Sequence, residues 1–167
     1  MDGISFLADL IATGRLHGIG PGASMREVDQ AVKAEFIEVV DEGHQTLRRD
    51  YGFVELYFSG RPGPEEWVMT SGVIEVHRLA DDSEGMAEEW RRDMGVDFPA
   101  YCSWAELREA LSRTPGAPEF ERIQQDGYLE FLVRETNTSV IVVDDREECD
   151  HRPGKGDVWS VGFSLKR

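Results

Sequence analysis

Asp144-Asp145-Arg146-Glu147-Glu148-Cys149-Asp150-His151 is the densest run of ligand-type side chains in the chain. Asp144, Asp145, Glu147 and Asp150 offer carboxylate oxygens suited to a hard cation, while Cys149 and His151 offer sulfur and nitrogen to a softer one. The spacing matches neither a calcium loop nor a zinc knuckle. Arg152-Pro153-Gly154-Lys155-Gly156 follows directly, so the segment reads as a solvated hairpin loop with no metal or other cofactor. His17, His44, His77 and His151 form no spaced pair on one helical face and read as surface or core histidines. A Cys-His nucleophile would need a histidine placed by the fold beside Cys102 or Cys149. Cys102, next to Tyr101 and a helix start at Trp104, reads as structural. No serine sits in a nucleophile elbow. Carboxylate pairs can be drawn anywhere among 33 acids, so they point to no reaction, and no catalytic residue is assigned.

The aromatic residues say more. Trp90 and Trp104 fall on inward helical positions. Tyr57 alternates with Phe58, and Trp159 with Val158, along two expected strands, so one of each pair faces away from the helices. Outward aromatics on a sheet serve as interface anchors. The candidate binding residues are therefore Tyr57 and Trp159, together with Asp144, Asp145, Glu147 and Glu148; the acids between Asp81 and Asp97 are a second source of charge.

Charge narrows the partner. Of 167 residues, 18 are Lys or Arg and 33 are Asp or Glu, a formal net charge of -15. Nucleic acid and anionic membranes require a basic face and are excluded as partners on this reading. An acidic protein of this size is steered toward basic proteins. The first residues lack a basic stretch, Asp9 interrupts the apolar run from Ile4 to Ile11, and no segment approaches the ~20 apolar residues of a membrane span. Two cysteines are too few for a disulfide framework. A cytoplasmic location is expected.

The elements that must position these residues follow from hydrophobic period and turn residues. Ile4, Leu7, Ala8, Leu10 and Ile11 predict a helix over 5–13, ended by Gly14. The glycine-rich stretch 14–22 lacks the lysine and hydroxyl of a phosphate loop and reads as a connector. Ser24-Met25-Arg26-Glu27 is a capping box opening a short helix. Strands are predicted over 36–40, 46–50, 53–59, 67–70 and 73–79, with a break at Gly72. The pattern then restarts with a helix near 84–94, a second capping box at Ser103-Trp104-Ala105-Glu106, and strands over 120–124, 128–134, 139–144 and 158–165. Gly52-Phe53-Val54-Glu55-Leu56 in one half answers Gly127-Tyr128-Leu129-Glu130-Phe131 in the other. The expected fold is α+β, two tandem repeats over 1–80 and 81–167. Each would pack two helices on an antiparallel sheet of about four strands, with the two joined as one compact unit.

With Ile19-Gly20-Pro21-Gly22 preceding the Ser24 to Val28 helix start, this arrangement resembles the beta-lactamase inhibitor protein fold and the related small outer-membrane lipoprotein units. The resemblance implies a concave sheet surface lined with aromatics that grips another protein. The function expected is an acidic protein-binding protein, an immunity or antitoxin-type inhibitor that neutralises a cationic protein. The alternative is a small enzyme or small-molecule binding protein using a cavity between helices and sheet, and a third reading is a domain that oligomerises by its sheet faces.

Overall fold

The structure is a computed structural model that describes residues 1–60, 67–82, 85–114, 116–145 and 151–165. Helix α1, Gly3–Thr13, begins where the Asp2 carboxylate accepts the Ser5 amide at 2.9 Å and ends at Gly14, whose φ of 68° lies in the left-handed region. Its buried stripe of Phe6, Leu7, Leu10 and Ile11 has helical spacing, and each of these side chains stabilises the fold by about 1.5–3 kcal/mol through burial. Helix α2, Met25–Ala31, carries the predicted capping box, with Ser24 and Glu27 satisfying each other's backbone amides. Strands β1 (Ile37–Asp41), β2 (Thr46–Asp50), β3 (Val54–Ser59) and β4 (Val68–Ile74) follow. A 3-10 helix, Val76–Asp81, leads to α3 (Met86–Met94) and α4 (Trp104–Ser112), the latter opened by the Ser103–Glu106 capping box. Strands β5 (Glu121–Gln125), β6 (Tyr128–Val133), β7 (Thr138–Val143) and β8 (Val158–Ser164) complete the chain.

Three expectations are corrected. Among the described residues, the eight strands form one continuous antiparallel sheet in the order β1-β2-β3-β4-β8-β7-β6-β5, not two separate sheets of four. β4 and β8 pair through Ser71↔Ser164, Gly72↔Phe163, Val73↔Gly162 and Ile74↔Val161. Joining the sheets in this way satisfies two strand edges that separate sheets would leave open. Gly72, expected to break a strand, lies inside β4. A Cβ there would come within 2.4 Å of the Phe163 ring and 2.8 Å of Leu56, so glycine is the residue that lets that ring lie against the strand. The run after Ile74, read as strand, is helical: Val76, Leu79 and Ala80 are the buried positions, and their spacing is that of a helix.

The core face of the sheet is set by alternation. Val54, Leu56 and Phe58 of β3 are buried with Met69, Ile74, Val161, Phe163, Val140 and Val142. These pack against α1 and α4 in one core. The chain end of α1 is tied to the β6–β7 turn, where the Thr136 and Thr138 hydroxyls both donate to the Ile11 carbonyl at 2.9 and 3.2 Å. Those bonds satisfy a carbonyl left without a partner at the end of the helix.

Candidate functional site

The opposite face of the sheet carries the polar and aromatic side chains. On β3 the residues between the core positions are Glu55 and Tyr57, paired across β2 with Asp50 and Arg48. Glu55 is buried although it faces away from the helices, because its own partners cover it. The Tyr57 hydroxyl donates to its Oε2 at 2.5 Å, Arg78 donates to Oε1 at 2.7 Å, and Arg48 reaches Oε2 at 3.3 Å. Burial alone pushes the Glu55 carboxyl up. The hydrogen bonds from Tyr57 and Arg78, with the charges of Arg78 and Arg48, outweigh it and hold the carboxyl below its ordinary range. The Tyr57 phenol is pushed up to about 12, first by burial and then by the carboxylate it bonds. This group is therefore a fixed polar brace: the phenol is a committed donor, and Arg78 also donates to the Gly52 carbonyl at 2.6 Å.

Trp159 owes its position to a β-bulge. Ser160 pairs with Ile141 and Val158 with Val142, so Trp159 is the extra residue on β8, and bulges re-aim a side chain in this way. Its indole stacks on the His77 imidazole, with centroids 3.9 Å apart and planes 2° from parallel, and meets the Tyr128 ring edge-on at 5.7 Å. His77 Nδ1 also lies 3.3 Å from the Trp159 carbonyl and 3.4 Å from Glu75 Oε2. The 3-10 helix that replaced the expected strand end is what carries His77 to the indole.

Beside this stack lies a cleft of about 810 Å³, bounded by the start of β1, the end of β2, the 3-10 helix, Met86 and Glu89 of α3, and residues 151–153. Such a volume is in the usual range of ligand-binding clefts, roughly 300–1,000 Å³. Phe36, Tyr51 and Trp159 give it aromatic walls, and its ionisable residues are Glu35, Asp50, Asp81 and Glu89 against Arg78 and Arg152, with His77 and His151.

The sequence candidates fall in three places. Tyr57 and Trp159 are not brought together. Tyr57 is level with Ser71 and through it with Ser164, and the steps back along β8 to Trp159, plus two strand spacings, separate them by roughly 20 Å. Asp144 is half-buried, accepts a hydrogen bond from Gln124 Nε2 at 3.1 Å, and lies 3.4 Å from Lys155 Nζ. The Gln124 bond is the main cause that holds its carboxyl below the ordinary range. Asp145 is exposed beside Gly127. Glu147 and Glu148 lie outside the described residues, as does most of the acidic loop considered for a metal. Among the described residues no group of three or more His, Cys, Asp or Glu is placed to hold a metal ion. Cys102 is buried and its thiol is pushed up to about 12, chiefly by burial, so it is held as the unreactive thiol.

Arg48 and Arg78 carry no role in the sequence reading, Glu55 reads there only as an outward strand acid, and His77 as a surface or core histidine. The only local signal was an acid between apolar strand residues at Glu55. Its partner Arg78 is distant in sequence and sits on an element read with the wrong period. No helix among the described residues is long and apolar enough to cross a membrane. The chain matches no protein-family model, no curated protein and no solved structure.

Proposed function

We propose that this chain is an acidic protein-binding protein of the immunity or antitoxin type, which neutralises a cationic partner protein across the sheet face turned away from α1 and α4. The observation that carries the reading is that face itself, eight strands wide in a chain of net charge -15. Eight strands span roughly 34 Å, and strands of this length run roughly 20 Å, an area on the order of 700 Å². A standard interface buries about 600–1,000 Å² on each partner, so the face falls within the size of one. It presents Tyr57, Trp159 and Tyr128 half-buried, and Ile37, Val39, Val68 and Ile123 exposed. Apolar and aromatic contacts of this kind supply affinity, while the surrounding acids supply steering. The two capped helices, each followed by a four-strand meander, also support reading the chain as a tandem duplication over 1–80 and 81–167, the architecture in which such faces are built.

The test is calorimetric titration of the purified protein against the basic product of a neighbouring gene at low and high salt. The expected result is a 1:1 complex that weakens at high salt and loses about tenfold or more in affinity in Trp159→Ala or Tyr57→Ala. Absence of a complex, or one indifferent to salt and to both substitutions, overturns the reading. The alternative of a small-molecule binding protein or enzyme is favoured by one observation, the cleft with His77 in its wall.

A further inference from the structure

Resting on that reading, we infer that the cleft beside Trp159 is the receptor for an arginine side chain of the partner protein. Four carboxylates, Glu35, Asp50, Asp81 and Glu89, line it against two guanidinium groups. One of those is already spent: Arg78 is held by Glu55 and the Gly52 carbonyl, with Asp50 at 3.8 Å. Arg152 is exposed. Glu35 and Glu89 are also exposed, and the Arg92 charge that acts on both is itself held by Asp93. The cleft therefore carries an excess of negative charge around its mouth, and that charge selects a cation.

The aromatic walls narrow the cation to a planar one. Guanidinium groups stack on aromatic faces and bond carboxylates in a fork, whereas an ammonium is a compact, strongly hydrated charge. The protein itself shows that this wall accepts a guanidinium. The Arg49 side chain, buried on the other side of the same segment, places its guanidinium carbon 4.3 Å from the Phe36 ring centroid while bonding Asp29 and Glu38. A second guanidinium entering from the cleft meets Phe36, Tyr51 and Trp159 on the sides and Glu35 and Glu89 at the mouth. An anionic guest has only Arg152 and the two histidines to meet, against four carboxylates.

The experiment uses the isolated, isotope-labelled full chain and three capped tripeptides, acetyl-Gly-Arg-Gly-amide, acetyl-Gly-Lys-Gly-amide and acetyl-Gly-Glu-Gly-amide, followed by amide and indole NMR shifts. The arginine peptide is expected to move the Phe36, Ile37 and Gly52 amides and the Trp159 indole in a saturating way. The lysine peptide should bind about tenfold more weakly, and the glutamate peptide should leave these signals in place. The double variant Glu35→Gln, Glu89→Gln, which changes only exposed side chains, is expected to keep a folded spectrum and lose the saturation. Equal shifts from the glutamate peptide, or no localised shift from the arginine peptide, overturn the assignment. If that happens while the whole partner protein still binds, the cleft assignment falls and the sheet-face reading stands. If the peptide seats in the cleft and no basic protein binds, the sheet-face reading falls instead.

Discussion

The Trp159 indole lies flat on the His77 imidazole, 3.9 Å between centroids and 2° from parallel, although the two residues are 82 positions apart in the chain. The contact joins the 3-10 helix to β8, so each residue fixes the other's rotamer at the edge of the cleft. A double-mutant cycle with His77→Ala and Trp159→Ala, read by urea unfolding, is expected to give a coupling energy of about 0.5–1.5 kcal/mol. A coupling near zero means the rings are only neighbours.

Glu55→Gln removes the charge that three donors share and leaves Arg48 and Arg78 without a buried anion; the expected loss of stability is about 3 kcal/mol. The pH dependence follows from the same group. Its carboxyl is held below the ordinary 4.5 in the folded protein, so its contribution is complete above that value and is lost as the pH falls through the lower folded one. Urea midpoints measured across the acid range should decline less steeply in Glu55→Gln than in the parent chain.

Tyr57 gives the opposite limb. Its phenol is raised from 10.0 to about 12, so the stability it supplies is complete below 10.0 and is lost as the pH rises through about 12. Ultraviolet difference titration should show Tyr57 ionising late alongside Tyr51, whose phenol burial also pushes up, and the difference from Tyr57→Phe isolates the Tyr57 value. In Glu55→Gln that value is expected to drop while staying above 10.0, because burial is the larger cause and remains. A return to the ordinary value in that variant contradicts this ranking of causes.

Two buried tryptophans should respond differently to loss of the indole nitrogen. Trp90 Nε1 donates to the Tyr51 carbonyl at 3.3 Å, whereas Trp104 Nε1 is buried with no hydrogen-bond partner among the described residues. Trp90→Phe and Trp104→Phe both shrink an apolar contact, but only the first abandons a bonded carbonyl. Trp90→Phe is expected to cost about 1 kcal/mol more by thermal or urea unfolding. Equal costs contradict the assignment.

Gly72→Ala tests the seam of the sheet. The added methyl meets the Phe163 ring at 2.4 Å and Leu56 at 2.8 Å, so a ring or a strand must shift, at an expected cost of about 1–3 kcal/mol. The companion change Phe163→Leu, made together with it, should recover part of the loss if the clash is with that ring. If the single variant is neutral, the close approach at β4 and β8 is wrong.

Much of the framework was legible in the residues because the signals are local. Both capping boxes, the helical stripe of Leu7, Ala8, Leu10 and Ile11, and the inward positions of Trp90 and Trp104 need no knowledge of distant contacts. Gly72 misled because a glycine that breaks a strand and one that admits a neighbouring ring look alike until Phe163 is placed. Val76, Leu79 and Ala80 misled because a six-residue 3-10 helix is too short for its period to stand out from alternation. The polar brace at Glu55 and the Trp159–His77 stack were not legible at all. The brace forms only when the 3-10 helix returns Arg78 to β3, the stack only when β8 pairs with β4 beside that helix, and the bulge that turns Trp159 has no residue signature of its own.

The seam between β4 and β8 also imposes an order of events. β4 acquires its second neighbour from residues that are synthesised after all the other described strands. Until then a growing chain holds both meanders with one apolar inner edge each, at β4 and β7, and neither can close without the other. During translation the protein therefore passes through a stage in which its most hydrophobic strands are the unprotected ones. A ribosome-bound chain halted before residue 158 should be sticky in a way that the finished chain is not.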